Sequence, residues 1–414
     1  MSVIKPFKGY RPTPGICDKV AALPYDVMTS DEAREMVKDN PYSFLHVDKA
    51  EIDLPKDVDH YSDAVYEKAK ENLYSMIENG IYIQDKEPVL YIYRLTMNGK
   101  SQTGLVACTS IDEYIDNKIK KHELTRADKE EDRIRHVDTC NANTGPIFLT
   151  YKNKEAIDDI INKCTKTTPV YDFISDDGIG HTVWLVDNKE VIESLVNEFK
   201  SVPALYIADG HHRNASAVKV GLKRRAEKPD YTGDEEFNYY LSVIFPDNQL
   251  YIMDYNRVVK DLKGYSKEEF ISEISKKFDV SEYREEGCFK PDEKHTFGMY
   301  LDKKWYVLKA KESIINENDS VACLDVSILQ KELLSPVLGI GDPRTDQRID
   351  FVGGIRGLEE LERRVDSGEM TVAFSMYPTT MEQLMNIADD NKIMPPKSTW
   401  FEPKLRSGIF IHEL

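Results

Sequence analysis

Ala204-Leu205-Tyr206-Ile207-Ala208-Asp209-Gly210-His211-His212-Arg213-Asn214 is the stretch from which the rest of the chain is most readily read. Residues 204–208 have the composition of a short buried strand, Asp209-Gly210 is a turn, and Asn214 to Glu227 has helical spacing. A strand that turns into a helix presents free N–H groups and partial positive charge at the helix start. Gly210 lets backbone approach a ligand closely. Arg213 adds a fork-shaped cation suited to phosphate oxygens, and His211 and His212 can donate hydrogen bonds or ligate a metal. Together these residues predict an anion site, with phosphate the natural occupant. The plain alternative is that Asp209 caps the helix and the two histidines are ordinary surface residues.

Outward from this turn, helices and strands alternate along the whole chain, which predicts a mixed α/β (α+β) fold in two lobes. Val89–Leu95 and Thr103–Cys108 read as a hairpin about Asn98-Gly99. Residues 59–79 read as an amphipathic helix, with Val65, Ala69, Leu73, Met76 and Ile77 on one face. Residues 237–246 and 249–255 read as a second hairpin about Asp247-Asn248, and the pattern restarts after Arg257. The expected division is a first lobe over 1–256, a second over 257–394, and a tail over 395–414 that returns to the first.

Lys plus Arg is 55 and Asp plus Glu is 73, a formal charge of −18. That balance counts against direct nucleic-acid binding, which needs a dense basic surface, while leaving room for one basic pocket. The six cysteines form no CxxC pair, which excludes a zinc ribbon or thioredoxin motif. No apolar run approaches the ~18–20 residues of a membrane span. A cytoplasmic protein with small-molecule ligands is expected, with a homodimer as the candidate assembly.

Four further groups of residues carry chemistry. Lys121-His122-Glu123 followed by Arg126, Lys129, Asp132, Arg133 and His136 places cationic charge beside a general base at His122 or Glu123. The alternative is a solvated charged helix. Asn143 and Thr144, at a strand entry, are suited to hydrogen-bonding a polar substrate, and are also ordinary turn residues. Lys397-Ser398-Thr399 offers one cation and two hydroxyls to phosphate, without the glycines of a P-loop. Asp26, in Pro24-Tyr25-Asp26, could reach a metal or a substrate amine.

Asp209-Gly210-His211-His212-Arg213, followed by Ala215 and Ala217, resembles the phosphate-binding motif of the ParB/sulfiredoxin-like superfamily. In that group an acidic-Gly-x-x-Arg turn opens a helix and holds nucleotide phosphates, and the double-histidine form is similar to that of the free serine kinases. More broadly, the chain is similar to a bacterial family of unknown function, number 1015 in its series. The matching features are Leu23 to Val27, Lys121-His122-Glu123 with Asp132-Arg133, Asp209 to Arg213, and Lys397-Ser398-Thr399. The resemblance implies a ParB/sulfiredoxin-like nucleotide-binding first lobe and a kinase-type phosphotransferase acting on serine, phosphoserine or a similar hydroxylated metabolite. ATP or ADP would be the nucleotide, with Mg²⁺ near Asp209. Gly210, His211, His212, Arg213, Arg133 and Lys397 to Thr399 would hold phosphates, and Glu123 would be the base, with His122 and Asp209 assisting. The competing readings are a metal-dependent phosphatase built on His122, Glu123, His136, His211, His212 and Asp209, and a nucleotide-dependent regulatory binding module.

Overall fold

Asn98 and Gly99 both take positive φ, 51° and 76°, the backbone that a two-residue hairpin turn demands. They join strands Leu90–Met97 and Lys100–Ser110 in antiparallel register. This hairpin is the middle of a nine-stranded sheet. Its path runs Ile119–Lys120, Leu205–Asp209, Ile147–Tyr151, Tyr239–Pro246, Lys100–Ser110, Leu90–Met97, Gly180–Val186, Tyr171–Ile174, with Ile4–Lys5 also on Lys100–Ser110. The sheet mixes parallel and antiparallel pairs. Its core includes Leu90, Ile92, Leu105, Ala107, Leu149 and Ile207, all fully or almost fully buried.

The computed structural model describes residues 2–414. The chain divides into two units: the first runs through Leu250 and takes in Pro403–Leu414, and the second is Tyr251–Glu402. In the first unit, helix Ala127–Cys140 packs between helices Asp63–Glu78 and His211–Glu227. Gly221 makes one close approach possible, because a Cβ there would sit 2.4 Å from the Phe237 carbonyl oxygen and 2.8 Å from Ile111 Cδ1. The second unit holds a six-stranded antiparallel sheet, ordered Phe278–Glu282, Lys304–Ala310, Thr296–Leu301, Val372–Met376, Tyr255–Val259, Ile349–Gly353.

The second hairpin expected from sequence does not form. Tyr239–Pro246 pairs on one side with Lys100–Ser110 and on the other with Ile147–Tyr151, so both its edges are taken. Ile252–Met253 pairs instead with Trp400–Phe401, and Tyr255–Val259 lies inside the second sheet. These pairings move the division from 257 to Leu250–Tyr251 and the start of the returning segment from 395 to Pro403. Among the described residues no helix is long and apolar enough to cross a membrane, and the six cysteines are free thiols.

Candidate functional site

Strand Leu205–Asp209 delivers its last residue to a turn at Gly210, whose φ of 90° and ψ of 31° suit glycine, and helix His211–Glu227 starts at once. The helix begins three residues earlier than its apolar spacing predicts. It has no side-chain cap, because the N-cap residue is Gly210, so no cap side chain satisfies its first N–H groups. Arg213 folds back over this end: its Nη1 donates to the Pro146 carbonyl at 2.8 Å. A Cβ on Gly210 would lie 3.2 Å from its Nη2. No other described residue accepts from the remaining guanidinium N–H groups. Asp209 accepts from Gly210 N–H at 2.8 Å through Oδ1 and pairs with Lys404 at 3.1 Å through Oδ2. Burial alone would raise its pKa, but Lys404 and Arg213 outweigh burial and bring it down to about 2. The Mg²⁺ expected at Asp209 would therefore have to sit beside the Lys404 ammonium, a repulsive position.

Glu123 comes to this turn. Its carboxylate is 3.9 Å from His211 Nδ1. The His122 ring meets the His211 ring edge-on at 4.5 Å between centroids. One ligand atom each from His122, Glu123 and His211 can be chosen so that all three lie within 4.8 Å of one another. His122 is 1% exposed, and neither of its ring nitrogens has a hydrogen-bond partner of good geometry; His211 Nε2 is equally unpartnered. Leaving a buried polar group unpaired costs roughly 1–3 kcal/mol. Burial pushes His122 down to about 4 against the opposing pull of Asp209 and the Ile207 backbone, and burial also holds His211 well below its ordinary value, reinforced by His122. His212 is set differently: its Nε2 accepts from Arg126 N–H at 3.0 Å, which fixes its tautomer and removes that nitrogen as a ligand.

The charged helix is not a solvated one. Ala127–Cys140 buries Glu130, Asp132, Arg133 and His136. Arg133 pairs with Asp132 at 2.8 Å and lies 4.0 Å over the Tyr25 ring, and these neighbours raise its pKa against the cost of burial. His136 is bonded to the Val47 carbonyl at 3.1 Å. Arg133, His136, Asp48 and Tyr25 line a cavity of about 210 Å³ that also takes in the exposed Asp26. The same four residues line a narrow space of about 20 Å³ that reaches Arg213, Asn143 and Thr144.

Asn143 and Thr144 are buried and largely engaged. Asn143 Oδ1 accepts from Leu241 N–H at 3.2 Å and lies 3.1 Å from His412 Nδ1, while the Thr144 hydroxyl donates to Asp48 at 3.0 Å. Lys397, Ser398 and Thr399, expected as phosphate ligands, belong to the second unit. Ser398 donates to the Pro395 carbonyl at 2.6 Å, and the Lys397 carbonyl accepts from Arg257 at 2.9 Å. These bonds pin the segment locally. Sequence reasoning missed Lys404 and Asp48 as site residues, since neither belongs to a local motif and Lys404 is 195 residues from its partner Asp209.

The chain belongs to the family described as protein of unknown function (DUF1015), whose model matches residues 4–327. Among solved structures, it is similar to a free serine kinase in complex with AMP, at 16% identity and a TM-score of 0.38, covering 74% of this chain and 91% of that one. A conserved hypothetical protein from Pyrococcus furiosus matches at 17% identity and a TM-score of 0.36, covering 74% and 94%. C-terminally truncated SbnI from Staphylococcus aureus matches at 11% and 0.37, covering 72% and 82%. No curated protein matches the chain. At such scores a likeness assigns no activity.

Proposed function

We propose that the first unit is a nucleotide-binding phosphotransferase lobe of ParB/sulfiredoxin-like type, which moves a phosphoryl group between ATP or ADP and a small hydroxylated metabolite, serine or phosphoserine being the first to try. The observation that carries this reading is the carboxylate of Glu123, 3.9 Å from the first residue of the helix that opens the Asp209–Arg213 turn. Phosphoryl transfer asks for little covalent chemistry from a protein: it needs held phosphates, a positioned hydroxyl and an acceptor for its proton.

In this reading the open N–H groups of the helix start and the uncommitted N–H groups of Arg213 take the phosphates. Lys404 keeps Asp209 ionised and adds positive charge, and Mg²⁺ arrives with the nucleotide. Glu123 takes the hydroxyl proton as the oxygen attacks phosphorus. The cavity of about 210 Å³ beside Arg133 and Asp26 is of a size for a small metabolite, and the space it shares with Arg213 links it to the turn.

Calorimetric titration of the full chain with ATP and ADP in the presence of Mg²⁺, followed by phosphorus NMR with serine and other small alcohols, tests the proposal. Saturable nucleotide binding with transfer to one hydroxyl compound is expected. Absence of nucleotide binding up to millimolar concentrations overturns it, and binding without transfer to any acceptor makes the unit a regulatory module instead.

A further inference from the structure

We propose that His122, Glu123 and His211 together bind one divalent transition-metal ion of the zinc type. The donor set is the starting point. Two imidazoles and one carboxylate form a borderline-soft site, which suits Zn²⁺, Co²⁺ or Mn²⁺ and is a poor match to Mg²⁺, which prefers oxygen ligands alone. Three protein ligands with a further position open is the pattern of a metal that works on a bound molecule, whereas a purely structural ion is usually enclosed by four.

The second and independent observation is the state of the two rings. His122 is 1% and His211 6% exposed. Both nitrogens of the first and one of the second have no hydrogen-bond partner of good geometry, the Ile207 backbone being the polar group near His122. Other buried histidines of this unit behave differently: His136 meets the Val47 carbonyl, and His412 bonds on both sides, to Asn143 and Glu236. Packing alone gives no reason to bury two polar rings against each other, 4.5 Å apart, with lone pairs unused. A cation gives one.

The distances allow it. Ligand atoms within 4.8 Å of one another need to close to about 3.3 Å around a tetrahedral ion with bonds of about 2.0–2.1 Å. Glu123 is the most exposed of the three side chains, at 43%, against 5% for His211. This site does not depend on the nucleotide reading. Metal binding and proton abstraction do draw on the same carboxylate, and a hydroxyl held by such an ion ionises more readily without a separate base.

The test uses untagged full-length protein, stripped with a chelator and titrated with Co²⁺ and Zn²⁺ in the absence of any nucleotide. Expected are one ion per chain by elemental analysis, a Co²⁺ visible band of low-coordinate intensity, and a raised Tm at saturating Zn²⁺. Loss of outer partners alone costs 10–100-fold in metal affinity, so His211→Ala, His122→Ala and Glu123→Gln should each lose about a hundredfold or more. His60→Ala, at an exposed histidine, should bind as wild type. Circular dichroism of the metal-free variants separates lost binding from lost folding, and Glu123→Gln, at a half-exposed position, keeps the test usable if the buried variants do not fold. A folded wild-type chain that takes up no Co²⁺, or uptake unchanged in Glu123→Gln, overturns the site.

Discussion

Two histidines of the first unit are buried to the same degree and live in opposite circumstances. His181 is 0% exposed, and both its nitrogens are bonded: Nδ1 lies 2.7 Å from the Tyr93 hydroxyl, and Nε2 lies 3.0 Å from Ser175 Oγ and 3.3 Å from Arg406 Nε. Phe173 stacks on its ring at 5.0 Å. His122 is 1% exposed, and neither of its nitrogens has a hydrogen-bond partner of good geometry. Burial by itself therefore says little about a histidine's purpose. The fully partnered ring is part of what holds the unit together, and the unpartnered one calls for another explanation, which the proposed metal ion supplies.

The largest effect expected from breaking this contrast is catalytic. Glu123→Gln keeps shape but removes a proton acceptor beside the unpartnered rings, so turnover should fall by roughly 10²–10⁴-fold with nucleotide affinity barely altered. A coupled assay alongside calorimetry reads both, and a fully active variant would move the base elsewhere.

Acid comes next in size. The folded-state pKa of His122 is brought down by burial to about 4, and that of His181 to about 3 by burial and Arg406, against an ordinary 6.5. Because both are depressed, the unfolded chain takes up these protons first. Stability is intact above about pH 6.5 and is lost as pH falls toward 4 and then 3, on the order of 3 kcal/mol for His122 and about 5 kcal/mol for His181. Denaturant melts between pH 7 and pH 4 should show this slope, and His122→Leu should flatten part of it. Asp209, held near 2, contributes only at lower pH.

Stability of the variants at neutral pH sharpens the contrast directly. His181→Leu takes the partner of the Tyr93 hydroxyl and one contact each from Ser175 and Arg406, which both keep Asp177, and should cost about 1–3 kcal/mol. His122→Leu, in metal-free buffer, removes two buried nitrogens without well-formed hydrogen bonds and should leave stability unchanged or raise it by about 1–3 kcal/mol. Equal losses in the two variants would erase the distinction. The smallest effect is Arg213→Ala, which removes a charge-assisted contact of roughly 1.5–3 kcal/mol and should weaken nucleotide binding about tenfold or more. Wild-type affinity in that variant would remove the turn as a phosphate site.

What the sequence made legible was mainly local. Asn98-Gly99 announces its hairpin because two positive φ values leave few alternatives, and the Asp209-Gly210 turn is visible through the single positive φ at Gly210. The helix after it starts at His211, ahead of the apolar spacing, because the glycine alone completes the turn and the open helix end needs no cap residue. Pairing was not legible. Asp247-Asn248 looks like a hairpin turn, yet Tyr239–Pro246 already has two neighbours drawn from residues 100–110 and 147–151. In the site, Glu123 and His122 stood out as reactive residue types next to one another. Lys404 gave no signal, since one lysine among many acquires meaning only from the carboxylate it meets. Lys397-Ser398-Thr399 has the composition of a phosphate loop, and its Ser398 hydroxyl and carbonyl bond to Pro395 and Thr379 in the second unit.

The route of the chain has a consequence for its biosynthesis. Lys404 follows Asp209 by 195 residues, and the second unit, Tyr251–Glu402, is translated between them. At about 5–20 residues per second, Asp209 waits roughly 10–40 s for its counter-ion. Arg406, which bonds His181, and Ile411, which packs into the core formed by Phe44, Leu45 and Leu73, arrive with it. The part of the protein begun first is thus finished last. A nascent chain stalled or cleaved after Glu402 is expected to carry a complete second unit and an unclosed first one, so that ligand competence at the turn is withheld until translation has passed through both.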